Sequence, residues 1–183
     1  MIFLIIIIVA VLIIVTGLYN GLIISRNKVK NAWSQIDVQL QRRFDLIPNL
    51  VETVKSYMTH EETVLTKVTE LRNSWANATT VSKKAELDSE LSGTLKTIMA
   101  VSENYPDLKS SKNFTELQEE LRSTEDKISY ARQFYNDSVT MYNTKLETIP
   151  TNIVASMFSF KPEELFEAVS EEARQNVKID FNK

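Results

Sequence analysis

Residues 2–15 read IFLIIIIVAVLIIV, and no charged side chain occurs between Met1 and Ser25. A helix rises about 1.5 Å per residue, so roughly 20 residues cross a hydrocarbon core of about 30 Å. Fourteen consecutive apolar residues leave a soluble helix no polar face. A cleavable signal peptide is disfavoured because no Lys or Arg precedes this long run and no A-x-A pattern follows it. We therefore expect a single transmembrane helix over residues 1–25.

The charges that flank this segment predict its orientation. Arg26, Lys28 and Lys30 follow it, whereas only the α-amino group precedes it. Because Lys and Arg are enriched on the cytoplasmic side, we expect the N-terminus outside and the helical body in the cytoplasm. An extracytoplasmic body is the alternative. The lipid bilayer is thus the first expected partner.

The composition favours an all-α protein. Three glycines and four prolines are fewer turn residues than a β-rich domain needs. All 21 basic and 24 acidic side chains follow residue 25, and their net charge of −3 does not favour nucleic-acid binding. The chain has no cysteine, which excludes disulfides, thiolate metal sites and cysteine nucleophiles.

A heptad-type seam, in which residues recur at spacings of four and three, follows the transmembrane segment. The seam comprises Val29, Trp33, Ile36, Leu40, Arg43, Ile47, Leu50, Val54, Tyr57, Glu61, Val64, Val68, Leu71 and Trp75. It predicts a coiled-coil-like helix that continues the transmembrane helix to about Ala76, roughly 76 Å from Arg26. The seam keeps its phase across Pro48, so we expect a kink there, with two separate helices as the alternative.

Three further helices are predicted. One runs from Ser82, as N-cap, to Glu103, and another from Phe114 to Glu147, with a turn at 77–80 and a loop at 104–112 between the long helices. A short helix is expected from Pro162 to about Arg174. The expected fold is all-α: a transmembrane helix (1–25) that continues into a long kinked helix, packed in an antiparallel bundle of three long helices (26–160), and a short C-terminal helix with a flexible tail (161–183).

The second and third long helices are too short to cover both sides of the first long helix along its full length. The seam from Val29 to Leu40 therefore lacks an evident partner within the chain. Either residues 151–183 fold back over it, or other copies of the chain cover it. Exposed Trp33 and Leu40 would form an apolar stripe typical of an interaction surface.

The transmembrane segment contains a small-residue pattern. Gly17 and Gly21 form G-x-x-x-G, whose spacing lets two membrane helices approach closely. Together with the uncovered seam, this pattern predicts a homo-oligomer. Other membrane proteins are possible partners by the same surfaces.

Two charged residues occupy seam positions. A charge at a core-type position is costly unless it is paired, so Arg43 and Glu61 either fix the packing register or are turned outward by the kink. They are 18 residues apart, roughly 27 Å along one helix, and cannot pair with each other. By charge alone, Arg132 and Asp45 are possible partners.

Two Tyr-Asn pairs repeat at seven residues, Tyr135-Asn136 and Tyr142-Asn143. On a helix they stack two tyrosines and two asparagines on adjacent stripes. One interpretation is a ligand-binding ladder. The other is a bundle seam in which the asparagines hydrogen-bond between helices.

No pattern of a catalytic, metal or cofactor site is present. His60-Glu61-Glu62 resembles the start of H-E-x-x-H, but the second histidine position is Val64. His60 is the only histidine, so a zinc-protease site is excluded by ligand count. We expect no catalytic residues, no metal and no cofactor.

Two blocks of the sequence resemble the LemA family. They are NAWSQIDVQLQRRFDLIPNL at 31–50, continuing through Val51, Tyr57 and His60-Glu61, and ARQFYN at 131–136, followed by Val139, Tyr142-Asn143, Pro150, Phe158 and Phe160. Their order and spacing, after an N-terminal apolar segment, match the family over most of the chain, except for residues 77–113. The resemblance implies a bacterial membrane protein with an antiparallel helical bundle and no enzyme activity.

The sequence thus predicts a membrane-anchored, non-enzymatic scaffold or adaptor that works through protein contacts and self-association. A small-molecule or ion binder or sensor that uses the two Tyr-Asn pairs is the alternative.

Overall fold

A computed structural model describes residues 1–57 and 62–167 of the chain. The regular structure in these ranges is helical, which confirms the all-α class. The elements are α1 (Ile2–Asp45), α2 (Ile47–Lys55), α3 (Glu62–Ala76), α4 (Val81–Ser102), α5 (Pro106–Lys109), α6 (Lys112–Glu147) and α7 (Thr151–Met157). Two compact units are present: unit 1 contains residues 1–43 and 120–166, and unit 2 contains, among the described residues, 44–119 and Glu167.

The first part of α1 exposes its apolar side chains. Large hydrophobic residues are exposed along the stretch 2–14, and the most apolar window of the helix buries none of its residues. From Leu22 onward the same helix buries one face, which includes Val29, Ile36 and Leu40. One helix therefore combines a segment compatible with a single membrane anchor and the first helix of unit 1.

Pro48 interrupts the long helix by a single residue. Proline has no N–H to donate to the carbonyl four residues earlier, and its ring crowds that turn, so α1 ends at Asp45. Leu46 keeps helical dihedral angles (φ −77°, ψ −17°), and α2 begins at Ile47. The helical path thus resumes at once, which explains why the apolar pattern keeps its phase.

The predicted continuation to Ala76 is wrong. Helix α2 ends at Lys55, and α3 begins at Glu62. Within unit 2, α3 packs against both α2 and α4. A heptad pattern specifies an apolar face but not whether one rod or two packed helices carry it, and here separate helices bury the seam.

Unit 2 is stabilised by a helix N-cap and by aromatic packing. The Thr80 side chain accepts a hydrogen bond from the Lys83 N–H at 3.2 Å, so Thr80, and not the predicted Ser82, is the N-cap of α4. Phe44 stacks on Trp75 with ring centroids 4.5 Å apart. The Lys84 ammonium lies 4.8 Å from the Trp75 ring.

In unit 1, α6 runs antiparallel to α1. Lys145 Nζ donates to Ser25 Oγ at 2.6 Å, and farther along the rings of Tyr135 and Trp33 are 5.6 Å apart. Helix α6 ends at Glu147, as predicted.

The C-terminal region differs from the prediction. A helix forms at Thr151–Met157 and ends in a Schellman motif. Ser159 adopts a positive φ of 54°, and the Phe160 N–H reaches back to the Ala155 carbonyl at 2.9 Å. The predicted helix beginning at Pro162 is absent, since residues 160–167 have no helical structure; its remainder to Arg174 lies outside the described residues.

Candidate functional site

Residues 160–166 form a segment of unit 1 without helical structure, which we call the strap; its hydrogen bonds to α6 have the spacing of an extended chain. Pro162 favours this conformation because it has no N–H to satisfy and restricts the preceding Lys161 to extended angles. The strap pairs with four side chains of α6, which we call the ladder: Tyr135, Asn136, Tyr142 and Asn143.

Each ladder asparagine forms two hydrogen bonds with one strap residue. Asn143 Nδ2 donates to the Glu163 carbonyl at 2.9 Å, and its Oδ1 accepts from the Glu163 N–H at 3.0 Å. Asn136 makes the same pair of bonds with Phe166, at 3.2 and 2.9 Å. A side-chain amide carries a donor and an acceptor side by side, so it pairs with a backbone much as a neighbouring strand would.

The ladder tyrosines add one bond each. Tyr142 Oη donates to the Lys161 carbonyl at 3.0 Å, and Tyr135 Oη donates to the Glu164 carbonyl at 2.7 Å. Burial, together with the nearby carboxylates of Glu163 and Glu164, raises the pKa of Tyr135 to about 12. Both tyrosines are buried, so their hydroxyl groups stay protonated donors over the physiological pH range.

The period of the ladder matches that of an extended chain. Seven helical residues rise about 10.5 Å, and three extended residues span about 9–10 Å. The tyrosines accordingly contact strap residues 161 and 164, and the asparagines contact 163 and 166. All six bonds go to the strap backbone, so they do not depend on the strap side chains.

Aromatic contacts fix the two ends of the strap. Phe166 is buried, its ring centroid lies 6.1 Å from that of Trp33, and the Arg132 guanidinium lies 4.9 Å from it. At the other end, the Phe160 ring contacts Tyr19 at 5.7 Å and the Arg26 guanidinium at 5.3 Å. Two aromatic side chains six residues apart therefore supply the sequence-dependent part of the contact.

The seam from Val29 to Leu40 is covered within the described chain. Val29, Ile36 and Leu40 are buried, and Trp33 is half-buried against Tyr135 and Phe166. Of the two covers left open by the sequence, the structure supplies the intrachain one. Helix length alone could not show this, because the cover includes an extended segment and not a helix.

Arg43 is buried in unit 1, with 4% of its side chain exposed. Its guanidinium pairs with the Glu125 carboxylate of α6 at 2.6 Å, a partner that the sequence did not indicate. Glu61, like His60, lies outside the described residues.

Gly17 and Gly21 stand apart from the ladder. A Cβ atom built on either glycine meets nothing within 4 Å among the described residues. The face of α1 that carries them is therefore open in a single described chain.

Sequence reasoning identified the ladder residues but not their ligand. The asparagines bond to an extended segment, whereas the predicted alternatives were a small ligand or a second helix. One signal was available: two Tyr-Asn pairs at a heptad spacing match the three-residue repeat of an extended chain, and Phe160 and Phe166 flank a proline nearby.

Comparison with known proteins matches residues 32–181 to the LemA family. Protein LemA of Metamycoplasma hominis is 29% identical, over 83% of this chain and 70% of its own. The magnetosome proteins MamQ 1 and MamQ 2 of Paramagnetospirillum magneticum are each 24% identical over 81% of this chain, and the match spans 64% of their length. These relatives and α1 suggest a membrane-associated protein. Since the family match covers most of the chain, including the whole ladder and strap, the protein belongs to the LemA family.

Proposed function

We propose that this protein is a membrane-anchored adaptor whose ladder binds an extended peptide segment, either its own strap or a segment of another protein that takes the strap's place. The observation that supports this is the set of six hydrogen bonds between ladder side chains and the strap backbone. A site that pairs with backbone accepts any extended chain whose aromatic side chains take the positions of Phe160 and Phe166. The expected partner segment therefore carries aromatic residues at positions i and i+6.

The small-molecule or ion binder is less well supported by this geometry. All four ladder side chains direct their polar atoms at the strap, so a small ligand would have to remove the strap first. A peptide, by contrast, replaces each of the lost hydrogen bonds.

The proposed adaptor is a non-enzymatic, single-pass protein of the bacterial cell membrane, with its N-terminus outside and its helical body in the cytoplasm. A Ser34→Cys variant tests the orientation, because Ser34 is exposed and the chain has no other cysteine. A membrane-impermeant thiol reagent is expected to label it only after cell lysis. Labelling in intact cells would contradict the cytoplasmic placement.

A peptide-binding measurement tests the adaptor function. A fluorescent peptide of residues 158–167 (FSFKPEELFE) is titrated against the full chain in detergent micelles. The Phe166→Ala chain keeps the ladder but holds its own strap less tightly. In the unchanged chain the tethered strap competes with the peptide at high effective concentration, so we expect the Phe166→Ala chain to bind the peptide at least about tenfold more tightly.

The control chain is Leu165→Ala, which changes an exposed strap side chain and is expected to behave as the unchanged protein. The control peptide carries alanine in place of Phe160 and Phe166 and is expected not to bind. If the Phe166→Ala chain keeps its helical content and fails to bind the peptide, the ladder is a purely internal contact and the adaptor proposal is wrong.

We also propose self-association through the open glycine face of α1. The supporting observation is that a Cβ atom built on Gly17 or Gly21 meets nothing within 4 Å among the described residues. Gly17→Ile combined with Gly21→Ile is therefore expected to lower the oligomer mass in mild detergent without changing helical content. An unchanged mass would contradict the proposal.

A further inference from the structure

The connection between α6 and the strap carries an unusual surface. Residues 148–160 read TIPTNIVASMFSF and contain no charged side chain. Ile153 and Met157 lie four residues apart on α7 and so share one face. The exposed apolar side chains of this connection are Ile149 (82% exposed), Ile153 (58%), Met157 (67%) and Phe158 (51%). We call residues 148–158, which contain this face, the corner.

Both ends of the corner lie level with one short section of α1. Phe158 contacts the ring of Tyr19, with centroids 4.8 Å apart. Lys145 contacts Ser25, and α6, which is antiparallel to α1, ends two residues later at Glu147, about 3 Å farther along its axis. The end of α6, followed by the turn that holds Ile149, therefore lies near the level of residue 23 of α1.

That section is also where the anchor segment leaves the hydrocarbon. Roughly 20 residues counted from Ile2 fill a core of about 30 Å, which ends near residue 21. Tyr19 and Phe158 therefore lie at the depth where aromatic side chains concentrate in membrane proteins.

Charged groups next to the corner suit a headgroup layer. The basic residues that flank the apolar stretches are Arg26, Lys28, Lys145 and Lys161, and the acidic ones are Glu147 and Glu163. The basic excess favours anionic headgroups.

We infer that the corner inserts its exposed apolar face into the interface of the bilayer leaflet that the anchor leaves, as a second and shallow membrane contact. The inference rests on the proposed membrane anchor. An uncharged helix with one buried face and one exposed apolar face, held at the level of a membrane surface, has the character of an interfacial helix. The contact holds the Phe160 end of the strap at the headgroups and directs its Phe166 end away from the membrane.

Depth-dependent quenching in vesicles tests this. The full chain, which has no native cysteine, is labelled with nitrobenzoxadiazole at one cysteine and reconstituted in phosphatidylcholine and phosphatidylglycerol vesicles. The three label sites are Val9→Cys in the anchor, Ile153→Cys in the corner and Tyr130→Cys on α6. Tyr130 is 77% exposed and lies 15 residues, roughly 22 Å of helix, before Lys145, so it serves as the matched aqueous control.

We expect Val9 to be quenched most by lipids brominated near the chain ends and Ile153 most by lipids brominated near the headgroup, with Tyr130 not quenched. A second label at Met157→Cys is expected to match Ile153. If Val9 is quenched while Ile153 and Met157 behave as Tyr130 does, the corner inference is overturned and the anchor stands. If Val9 is not quenched and the corner labels are, the corner contact stands and the anchor proposal fails.

Discussion

Unit 1 and unit 2 hold their helices together by different chemistry. Unit 2 packs α3 on α2 and α4 through apolar side chains, stacks Trp75 of α3 on Phe44 near the end of α1, and has a half-exposed Lys67–Glu90 ion pair. Unit 1 adds a buried arginine and four side chains that bond to the backbone of an extended segment. Apolar burial has no directional requirement, whereas each ladder hydrogen bond needs a donor and an acceptor aligned within a few tenths of an ångström. Unit 1 is therefore the more specific of the two.

Removing the buried aromatic side chain of each unit gives the largest effect. Phe166→Ala and Trp75→Ala are each expected to cost about 3–5 kcal/mol of local stability. The stability is expected to be lost in different places. The Phe166→Ala substitution should expose the backbone amides of the strap to hydrogen exchange, whereas Trp75→Ala should expose those of unit 2. Amide hydrogen exchange measures both, and fast strap exchange in the Trp75→Ala chain would contradict the separation of the two units.

Removing one cation from each unit compares a buried with an exposed ion pair. Arg43→Leu deprives Glu125 of its partner, and the loss is expected to be about 1.5–3 kcal/mol, since that carboxylate is 46% exposed and is rehydrated. Lys67→Ala breaks a pair exposed to solvent and is expected to leave the unfolding midpoint unchanged. Denaturant unfolding followed by fluorescence measures both variants. Equal midpoints for the two variants would show that Arg43 has no special role in unit 1.

Shortening one ladder asparagine probes its two backbone bonds. Asn136→Ala should speed exchange of the Phe166 amide, and Asn143→Ala that of the Glu163 amide, each by the equivalent of about 1–2 kcal/mol. Asn77→Ala is the control in unit 2, because this side chain makes a single exposed bond to its own helix. If both asparagine variants speed the exchange of all strap amides equally, the strap opens as one body and the two asparagines do not act separately.

High pH should loosen unit 1 through Tyr135. Its pKa is raised to about 12 from an ordinary 10.0, so the folded state holds the proton more tightly than the unfolded state. The resulting stability is fully present below pH 10 and is lost as the pH rises from 10 towards 12. Burial also raises the pKa of Tyr142, so a titration followed by tyrosinate absorbance should show a late component from both tyrosines, which Tyr135→Phe reduces.

A Tyr130→Phe chain is the control for this titration, because that tyrosine is exposed on the same helix and should leave the late component in place. A smaller late component in the control, or an unchanged one in Tyr135→Phe, would show that Tyr135 does not carry the raised pKa.

Much of the fold was predictable because it follows from local patterns. The apolar run, the end of α6 at Glu147 and the approximate span of α4 depend on periodicity and on residues a few positions away. The break between α2 and α3 was not predictable in this way, since the seam keeps a heptad spacing across it. The Arg43–Glu125 pair joins residues 82 positions apart, and charge alone pointed to other partners.

The sequence by itself determined the helical class, the apolar anchor segment and the identity of the ladder residues. Only the tertiary structure decided what the ladder binds and what covers the seam from Val29 to Leu40. The physical reason is a competition for backbone hydrogen bonds. The local sequence favours a helix, in which the backbone amides of Glu163 and Phe166 would form hydrogen bonds within that helix. The side chains of Asn143 and Asn136, 20 and 30 residues away, offer donors and acceptors at the spacing of an extended chain, and the two amides bond to them instead.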